Sequence, residues 1–368
     1  MNLKEPNYYL LEDASELRTP NLLLYPDLVK ENIQKILSEI ALDRFRPHIK
    51  TNKSPNLVQL LLDQGVYKFK CATLQEAKML AELNVKDILI AYPIVGLQLN
   101  YVLDLVHRFP SSTIRFLVDS ELVVSQLNDL CADRGIVQEV FVDLNLGMNR
   151  TGVTFDRLEG FVAYIQTLSN VKLVGLHGYD GHIREENIEK REQIVKEYFE
   201  GVLARTTYFE TTYGLSLSLV FGGSNTFPIY RQYSNVECSP GTFILWDWGY
   251  HSTLPEQTYQ IAALLISRIV SKPNTNLLCL DLGYKAISSE NTLDKRLHFL
   301  HKRGWNLISQ SEEHLVVDVP SQDWEEVHIG EFIYIVPYHI CPTVAMYPAY
   351  QVVGAGKVTE EWEIWSRY

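Results

Sequence analysis

The feature that most constrains this fold is a repeated alternation of short apolar runs with stretches of helical periodicity. Eight runs rich in β-branched and aliphatic residues follow one another in the first two thirds of the chain. They are residues 21–26, 46–50, 67–73, 87–93, 113–120, 139–145, 171–179 and 217–224. Strands of nearly continuous apolar character that alternate with helices are typical of parallel sheets buried on both faces. The pattern therefore predicts an α/β fold with a (β/α)8 TIM-type barrel, and a doubly wound open sheet is the alternative.

Helix signals between these runs support the alternation. Ser54 and Pro55 offer an N-cap and a proline in the first turn, and Gly65 follows where that helix should end. Thr73 and Glu76 have the spacing of a capping box. These signals predict helices after the second and third runs.

The sequence pattern changes after about residue 245, where strand-like runs are separated by turns that contain Pro, Asn, Gly and charged residues. Helical periodicity is weak there, which predicts a second, β-rich domain. We expect an N-terminal segment at 1–20 that associates with the β domain, a barrel domain at 21–243 and a C-terminal β domain at 244–368.

Composition excludes several classes of partner. The 368-residue chain has a formal net charge of −12, which argues against nucleic acid or an anionic membrane as a partner. Its apolar runs are shorter than the roughly 20 residues that cross a bilayer, and its first residues do not resemble a signal peptide. The five cysteines are odd in number and irregularly spaced, which indicates reduced thiols and not a disulfide framework. The expected location is the cytoplasm.

Polar residues at the ends of the predicted strands are the candidates for chemistry. Lys50 ends the second run, and a desolvated lysine at a barrel rim can form a Schiff base, although most lysines are only solvated. Gly222 and Gly223 lie at the end of the eighth run, where barrels often bind phosphate, although a glycine pair can also be a simple turn. Arg150 follows the sixth run and could pair with a phenolate. Together these groups indicate pyridoxal 5′-phosphate.

Six segments in a fixed order carry a family resemblance. They are RPHIKTNK, CATLQEA, DILIAYPI, LGMNRTG, GYDGH and HICPTV. In this order they resemble the D-threonine aldolase / D-serine dehydratase-like family of fold-type III pyridoxal-phosphate enzymes, which are related to alanine racemase. The resemblance implies an N-terminal barrel, a C-terminal β domain and a homodimer with the active site near the subunit interface.

The resemblance also implies roles for individual residues. The cofactor would be attached to Lys50, and Arg150 would face its phenolic oxygen. The backbone that binds its phosphate would come from Gly222, Gly223, Gly241 and Thr242. Tyr179 and His182, in GYDGH, would contact cofactor or substrate, with His182 taken as catalytic; a structural role is the alternative for both.

His339 and Cys341 form the last candidate pair. In an extended segment their spacing places both side chains on one face, which suits one shared cation but equally suits a strand that buries them. The resemblance implies that they bind a divalent metal. A thiolate with an imidazole favours Zn²⁺, with Mn²⁺ or Mg²⁺ as alternatives. Two protein ligands leave positions open for water or substrate, as a catalytic ion requires.

The predicted function is that of a lyase acting on small D-3-hydroxy amino acids. Relatives of the resembled family carry out either retro-aldol cleavage or dehydration, and the His-x-Cys pair favours zinc and dehydration. An amino-acid racemase is one alternative, because the segment around Tyr284 is similar to a racemase motif. However, Ser239 stands where racemases hold the pyridine nitrogen with an arginine. A non-catalytic pyridoxal-phosphate-binding protein is the other alternative.

Overall fold

The structure is a computed structural model that describes residues 4–366, and its contacts divide the chain into two compact units. The barrel unit comprises Leu37–Lys50 and Val58–Gly241. The β-rich unit comprises residues 4–36, Thr51–Leu57 and Thr242–Ser366. Within residues 4–366, no helix combines the length and the apolar character needed to cross a membrane.

Eight strands lie in the first two thirds of the chain. They are β1 (Asn21–Leu24), β2 (Lys68–Cys71), β3 (Asp87–Pro93), β4 (Thr113–Val118), β5 (Gln138–Leu144), β6 (Val171–Gly178), β7 (Ser218–Phe221) and β8 (Val236–Cys238). Strands β2 to β8 form one parallel sheet in sequential order.

Residues 45–48, the bridging segment, join the two edges of this sheet. Phe45 makes a parallel bridge to Cys238 in β8, and His48 makes one to Lys70 in β2. The carbonyl of Pro47 also accepts a hydrogen bond from Lys70 N at 2.9 Å. The segment therefore takes the eighth place in the barrel, and the predicted barrel with a C-terminal β-rich region is confirmed.

Helices connect the strands. The α-helices are α1 (Pro26–Glu39), α2 (Pro55–Leu62), α3 (Leu74–Glu82), α4 (Gln98–Arg108), α5 (Glu121–Arg134), α6 (Phe155–Ile165), α7 (Ile188–Tyr213), α8 (Phe227–Tyr230), α9 (Trp248–Thr253), α10 (Ser321–Glu326) and α11 (Ile340–Val344). Short 3-10 helices span Pro6–Tyr9, Leu42–Arg44, Thr242–Ile244 and Leu293–Lys295.

The predicted cap at Thr73 has a clear physical basis. Thr73 is the N-cap of α3, and its hydroxyl accepts a hydrogen bond from Glu76 N at 3.1 Å. The Glu76 carboxylate in turn accepts from Ala72 N at 2.7 Å. Two backbone donors at the start of the helix are thus satisfied by side chains.

The remaining strands build the β-rich unit. They are β9 (Ala263–Asn274), β10 (Leu277–Leu280), β11 (Leu297–Phe299), β12 (Asn306–Gln310), β13 (Leu315–Asp318), β14 (Phe332–Pro337), β15 (Ala349–Gly354) and β16 (Lys357–Glu363). The sheet runs in the order β12-β13-β10-β9-β1-β15-β16, and β14 pairs with both β9 and β11.

The prediction that residues 21–26 form the first barrel strand was wrong. Strand β1 pairs antiparallel with β9 and parallel with β15, so it lies in the sheet of the β-rich unit. Its three leucines are buried there, as they would be in a barrel, and an apolar run does not reveal which sheet buries it. The predicted barrel domain, 21–243, thus differs from the barrel unit, which begins at Leu37.

The barrel core lies beneath a cavity at one end of the barrel. Leu89, Leu117, Phe141 and Val220 form a buried cluster inside the sheet. A Cβ atom on Gly175 would lie 2.2 Å from the Phe141 ring, so the close packing at this point requires glycine. Ala91 packs against this cluster and also lines the adjoining cavity, so the core forms part of the cavity floor.

Candidate active site

A cavity of about 490 Å³ lies at the carboxyl ends of the barrel strands. Its polar lining includes Lys50, Lys70, Arg150, Thr151, His177 and Tyr179. Lys70 lies in β2 and His177 in β6, while the others follow the ends of strands or of the bridging segment. This is the end of a parallel barrel at which active sites are found.

Tyr179 brings two predicted site residues together. The Lys50 ammonium nitrogen lies 5.3 Å from the centroid of the Tyr179 ring, and the Arg150 guanidinium carbon also lies 5.3 Å from it. Both distances are within the range of cation–π contact. The structure therefore places Lys50, Arg150 and Tyr179 around one cavity.

The glycine loop after β7 approaches the same tyrosine. Gly222 has a φ of +71°, a conformation that L side chains rarely adopt. A Cβ atom on Gly223 would lie 2.9 Å from Cε2 of Tyr179. The chain then turns, and Thr226 and Phe227 donate their N–H groups to the carbonyl of Gly223 at 3.1 and 2.8 Å.

The predicted pair Gly241 and Thr242 follows β8. The residue before it is fixed, because Pro240 accepts a hydrogen bond from His48 N at 3.0 Å. Thr242 belongs to the β-rich unit, where its hydroxyl lies 3.6 Å from the sulfur of Cys341.

His182 does not line the cavity. It is exposed, and its ring lies beside Gly147, where a Cβ atom would be 3.2 Å from His182 Nε2. Its predicted catalytic role stays a prediction.

The cavity wall contains a buried network of hydrogen-bonded side chains that the sequence did not predict. Asp143 accepts hydrogen bonds from His177 Nδ1 at 2.7 Å and from the Thr151 hydroxyl at 2.8 Å. His177 Nε2 lies 3.5 Å from Lys70 Nζ, which also donates to the Ser239 hydroxyl. Asp143, His177, Lys70 and Ser239 are each no more than 4% exposed. The only sequence signal was a polar residue inside an apolar strand run.

Burial sets the electrostatics of this network. It lowers the pKa of Lys70, the charge of Lys50 lowers it further, and the resulting value is about 7. Burial also lowers the pKa of His177, although the hydrogen bond with Asp143 opposes the shift. Burial and the charge of Lys50 hold the pKa of His48 well below its ordinary value. Both imidazoles are therefore neutral at neutral pH.

His339 and Cys341 lie at the start of a helix. His339 is the N-cap of α11, and Cys341 is in its first turn, so the expected extended segment was wrong. Pro342, also in the first turn, is compatible with a helix start and lacks a strand donor.

The partners of this pair are polar. The Cys341 sulfur lies 3.1 Å from the Thr51 hydroxyl, and His339 Nδ1 contacts the Glu290 carboxylate. Burial opposes protonation of His339, but the hydrogen bond with Cys341 and the charges of Cys341 and Asp247 raise its pKa to about 10. Residues 4–366 contain no group of three or more His, Cys, Asp or Glu side chains arranged to hold a metal.

A parallel α/β barrel with a lysine-lined cavity, followed by a β-rich unit, defines the class of alanine racemase-like folds. The family model described as "Alanine racemase, N-terminal domain" matches residues 26–220, and "Putative serine dehydratase domain" matches residues 262–353. The chain belongs to the alanine racemase N-terminal domain family, and the predicted resemblance is confirmed.

Curated relatives match over nearly the whole chain. D-Threonine aldolase from Arthrobacter sp. is 23% identical over 97% of this chain and 94% of its own length. 3-Hydroxy-D-aspartate aldolase from Paracoccus denitrificans (strain Pd 1222) is 25% identical over 96% of this chain and 93% of its own. These relatives are lyases named for D-amino acid substrates.

A solved structure shows the same fold. D-threo-3-Hydroxyaspartate dehydratase from Delftia sp. HT23 superposes with a TM-score of 0.84 at 21% identity, covering 96% of this chain and 98% of that chain. A variant of D-threo-3-hydroxyaspartate dehydratase was solved in a form described as metal-free.

Proposed function

We propose that this protein is a pyridoxal-phosphate- and divalent-metal-dependent lyase that acts on D-3-hydroxy amino acids, with dehydration as the favoured reaction. The observation that carries the proposal is that Lys50 and Arg150 both lie 5.3 Å from the centroid of the Tyr179 ring in one cavity. The named relatives, which are aldolases and dehydratases of such substrates, point to the same chemistry.

The cavity fits the proposed cofactor in size and in charge. A volume of about 490 Å³ lies within the usual range for small-molecule sites. Lys50 and Arg150 line it with cationic groups, which match a phosphate and a phenolate. A Cβ atom on Gly222 would crowd Tyr230 and one on Gly223 would crowd Tyr179, so the loop carries no side chains at these positions and its backbone can approach a ligand.

Each residue then has a proposed role. Lys50 would hold the cofactor through its amine, and Arg150 would pair with the phenolic oxygen. The backbone of Gly222, Gly223, Gly241 and Thr242 would bind the phosphate, and Tyr179 would pack beside the cofactor. Bound pyridoxal phosphate withdraws electrons from the α-carbon of an attached amino acid. Lys50, once its amine is released, would act as the base that removes the α-proton.

The second part of the proposal concerns His339 and Cys341. Imidazole and thiolate are a donor pair that suits Zn²⁺ better than Mg²⁺ or Mn²⁺, and two ligands leave positions for water and substrate. A divalent cation there would make a β-hydroxyl a better leaving group. His182 would contact the substrate in this proposal, although it is exposed and outside the cavity lining.

Product analysis tests the function directly. The purified protein would be incubated with D-serine, D-threonine, D-threo-3-hydroxyaspartate and D-alanine, with and without a chelator. We expect an oxo acid and ammonia from the hydroxy substrates, and loss of this activity on chelation. Glycine and an aldehyde would instead establish the aldolase reaction.

Two other results would overturn the lyase proposal. Chelator-insensitive racemisation of D-alanine would identify a racemase. Cofactor binding without turnover of any D-amino acid would identify a pyridoxal-phosphate-binding protein. The homodimer stays a prediction, and its test is the molecular mass in solution by analytical ultracentrifugation.

A further inference from the structure

Lys70 is a cavity residue for which the proposed function has no role. Lys70 lies in β2, is only 3% exposed, and lines the same cavity as Lys50. Lysine is rarely buried to this extent without a partner for its charge. The hydrogen bonds that Lys70 makes within the protein therefore show which of its N–H donors can bind a ligand.

The tautomer of His177 fixes the direction of one hydrogen bond. His177 Nδ1 lies 2.7 Å from a carboxylate oxygen of Asp143, which can only accept, so Nδ1 carries the proton. The other carboxylate oxygen of Asp143 accepts from Thr151 at 2.8 Å, which keeps the carboxylate in place. Because His177 is neutral, its Nε2 is an acceptor, and it lies 3.5 Å from Lys70 Nζ.

In its protonated form, Lys70 therefore uses two of its three donors within the protein. One N–H points to His177 Nε2 and one to the Ser239 hydroxyl, which can itself donate to the carbonyl of Phe221 at 3.4 Å. An ammonium group has three N–H donors and no acceptor. Among the partners found within residues 4–366, none takes the third, so it is available to a ligand in the cavity.

The chemistry of the proposed cofactor leaves one polar atom without a partner. Pyridoxal phosphate has a phosphate, an aldehyde, a phenolic oxygen and a ring nitrogen. The glycine loop, Lys50 and Arg150 account for the first three. We propose that Lys70 donates its third N–H to the ring nitrogen of the bound cofactor, an inference that rests on the proposed function.

The charges around Lys70 agree with this assignment. Burial and the cation of Lys50 lower its pKa, Arg46 adds to the shift, and Asp143 and Asp180 oppose it. A charged Lys70 is therefore costly in the free protein, and an acceptor from the ligand would offset part of that cost. A ring nitrogen that accepts from an ammonium group stays unprotonated, because a proton there would bring two cations into contact.

Binding of two cofactors to the full chain tests the contact. The probes are pyridoxal 5′-phosphate and its 1-deaza analogue, in which a C–H group replaces the ring nitrogen. We expect wild type to bind the analogue at least tenfold more weakly. Lys70→Met should bind pyridoxal phosphate at least tenfold more weakly than wild type and should bind both compounds equally. Methionine has a similar length and no charge, so the buried position should tolerate it.

Lys68→Met is the matched control. Lys68 lies on the same strand, but its ammonium group binds Glu237 at 2.6 Å and it does not line the cavity. This control should keep the discrimination between the two compounds.

A second measurement does not depend on any variant. The chemical shift of the ¹⁵N-labelled ring nitrogen in the wild-type complex should be that of an unprotonated, hydrogen-bonded pyridine. Equal binding of both compounds by wild type, or a protonated ring nitrogen, would overturn the role of Lys70. Failure of wild type to bind pyridoxal phosphate would overturn the proposed function as well, so the two failures are distinguishable.

Discussion

The cavity of the barrel unit and the His339–Cys341 pair of the β-rich unit are built in different ways. In the barrel, Asp143, His177 and Lys70 are almost completely buried and are joined by hydrogen bonds. In the β-rich unit, the His339 side chain is 45% exposed and contacts Glu290, which is 47% exposed. The fold holds the polar groups of the barrel cavity in place, whereas the β-rich unit has two candidate metal ligands at the start of a helix.

This difference separates two kinds of binding site. Buried groups whose partners are fixed are organised before a ligand arrives, so less ordering is needed on binding. A half-exposed imidazole and a partly buried thiol need further ligands to complete a coordination shell. We therefore expect the cofactor to bind independently of the metal.

The largest effect should come from Lys50→Ala. Removing the amine that holds the cofactor should abolish the visible absorbance of the bound cofactor and lower turnover by at least about a thousandfold. The measurements are the absorbance spectrum and the steady-state rate. Persistence of the visible absorbance would show that another group, with Lys70 the obvious alternative, holds the cofactor.

A smaller effect should follow from Cys341→Ala. Loss of one of two protein ligands should lower metal affinity and activity by at least about tenfold while the cofactor absorbance stays unchanged. Metal content by elemental analysis and activity with added Zn²⁺ are the measurements. The control is Cys279→Ala, which removes another partly buried thiol of the β-rich unit. Loss of cofactor in Cys341→Ala would contradict the independence of the two regions.

Much of the barrel could be predicted from the sequence, because its strands are apolar runs with helix caps between them. Strand β8, Val236–Cys238, was missed since three residues are too few to show a period. The run 46–50 forms a single isolated bridge, at His48, because Pro47 lacks the N–H group that a regular strand would use. The placement of β1 in the other sheet depends on contacts between residues more than 200 positions apart.

Sequence motifs predicted part of the candidate site, whereas its buried hydrogen-bond network was not predicted. Lys50, Arg150 and Tyr179 stood in recognisable segments, and the structure brings them to one cavity. Lys70 and His177 stood inside apolar runs, where a sequence does not show which side chain meets which. Their partners, Ser239 and Asp143, are on other strands or loops and become apparent only after folding.

A pH effect on stability should come from Lys70. Its pKa is about 7 in the folded, cofactor-free chain, against about 10.4 in an unfolded chain. Between these values the unfolded chain holds a proton that the folded chain lacks. The free energy of unfolding should therefore rise with pH by up to about 1.4 kcal/mol per unit, and the slope should vanish below the folded pKa.

The measurement is urea unfolding of the cofactor-free protein from pH 6 to pH 10, for wild type and Lys70→Met. The difference in unfolding free energy between them isolates the contribution of Lys70, because the other titrating groups are shared. A difference that does not change with pH would mean that Lys70 is charged in the folded barrel, and the network would be less desolvated than its burial indicates.

The smallest effect should come from Thr151→Val, which removes one hydrogen bond at the end of the buried network. The Thr151 hydroxyl donates to Asp143 Oδ2 at 2.8 Å, and its loss leaves a buried carboxylate oxygen with one partner fewer. A hydrogen bond to a charged group contributes roughly 1.5–3 kcal/mol, and partial exposure of Thr151 reduces this to about 1 kcal/mol. Urea unfolding measures the loss, with Thr113→Val, an exposed position at the start of β4, as the control. If both variants unfold at the same urea concentration as wild type, water replaces the hydroxyl and the cavity wall is less rigid than its hydrogen bonds indicate. A loss confined to Thr151→Val would show that the barrel holds this network in place before any ligand binds.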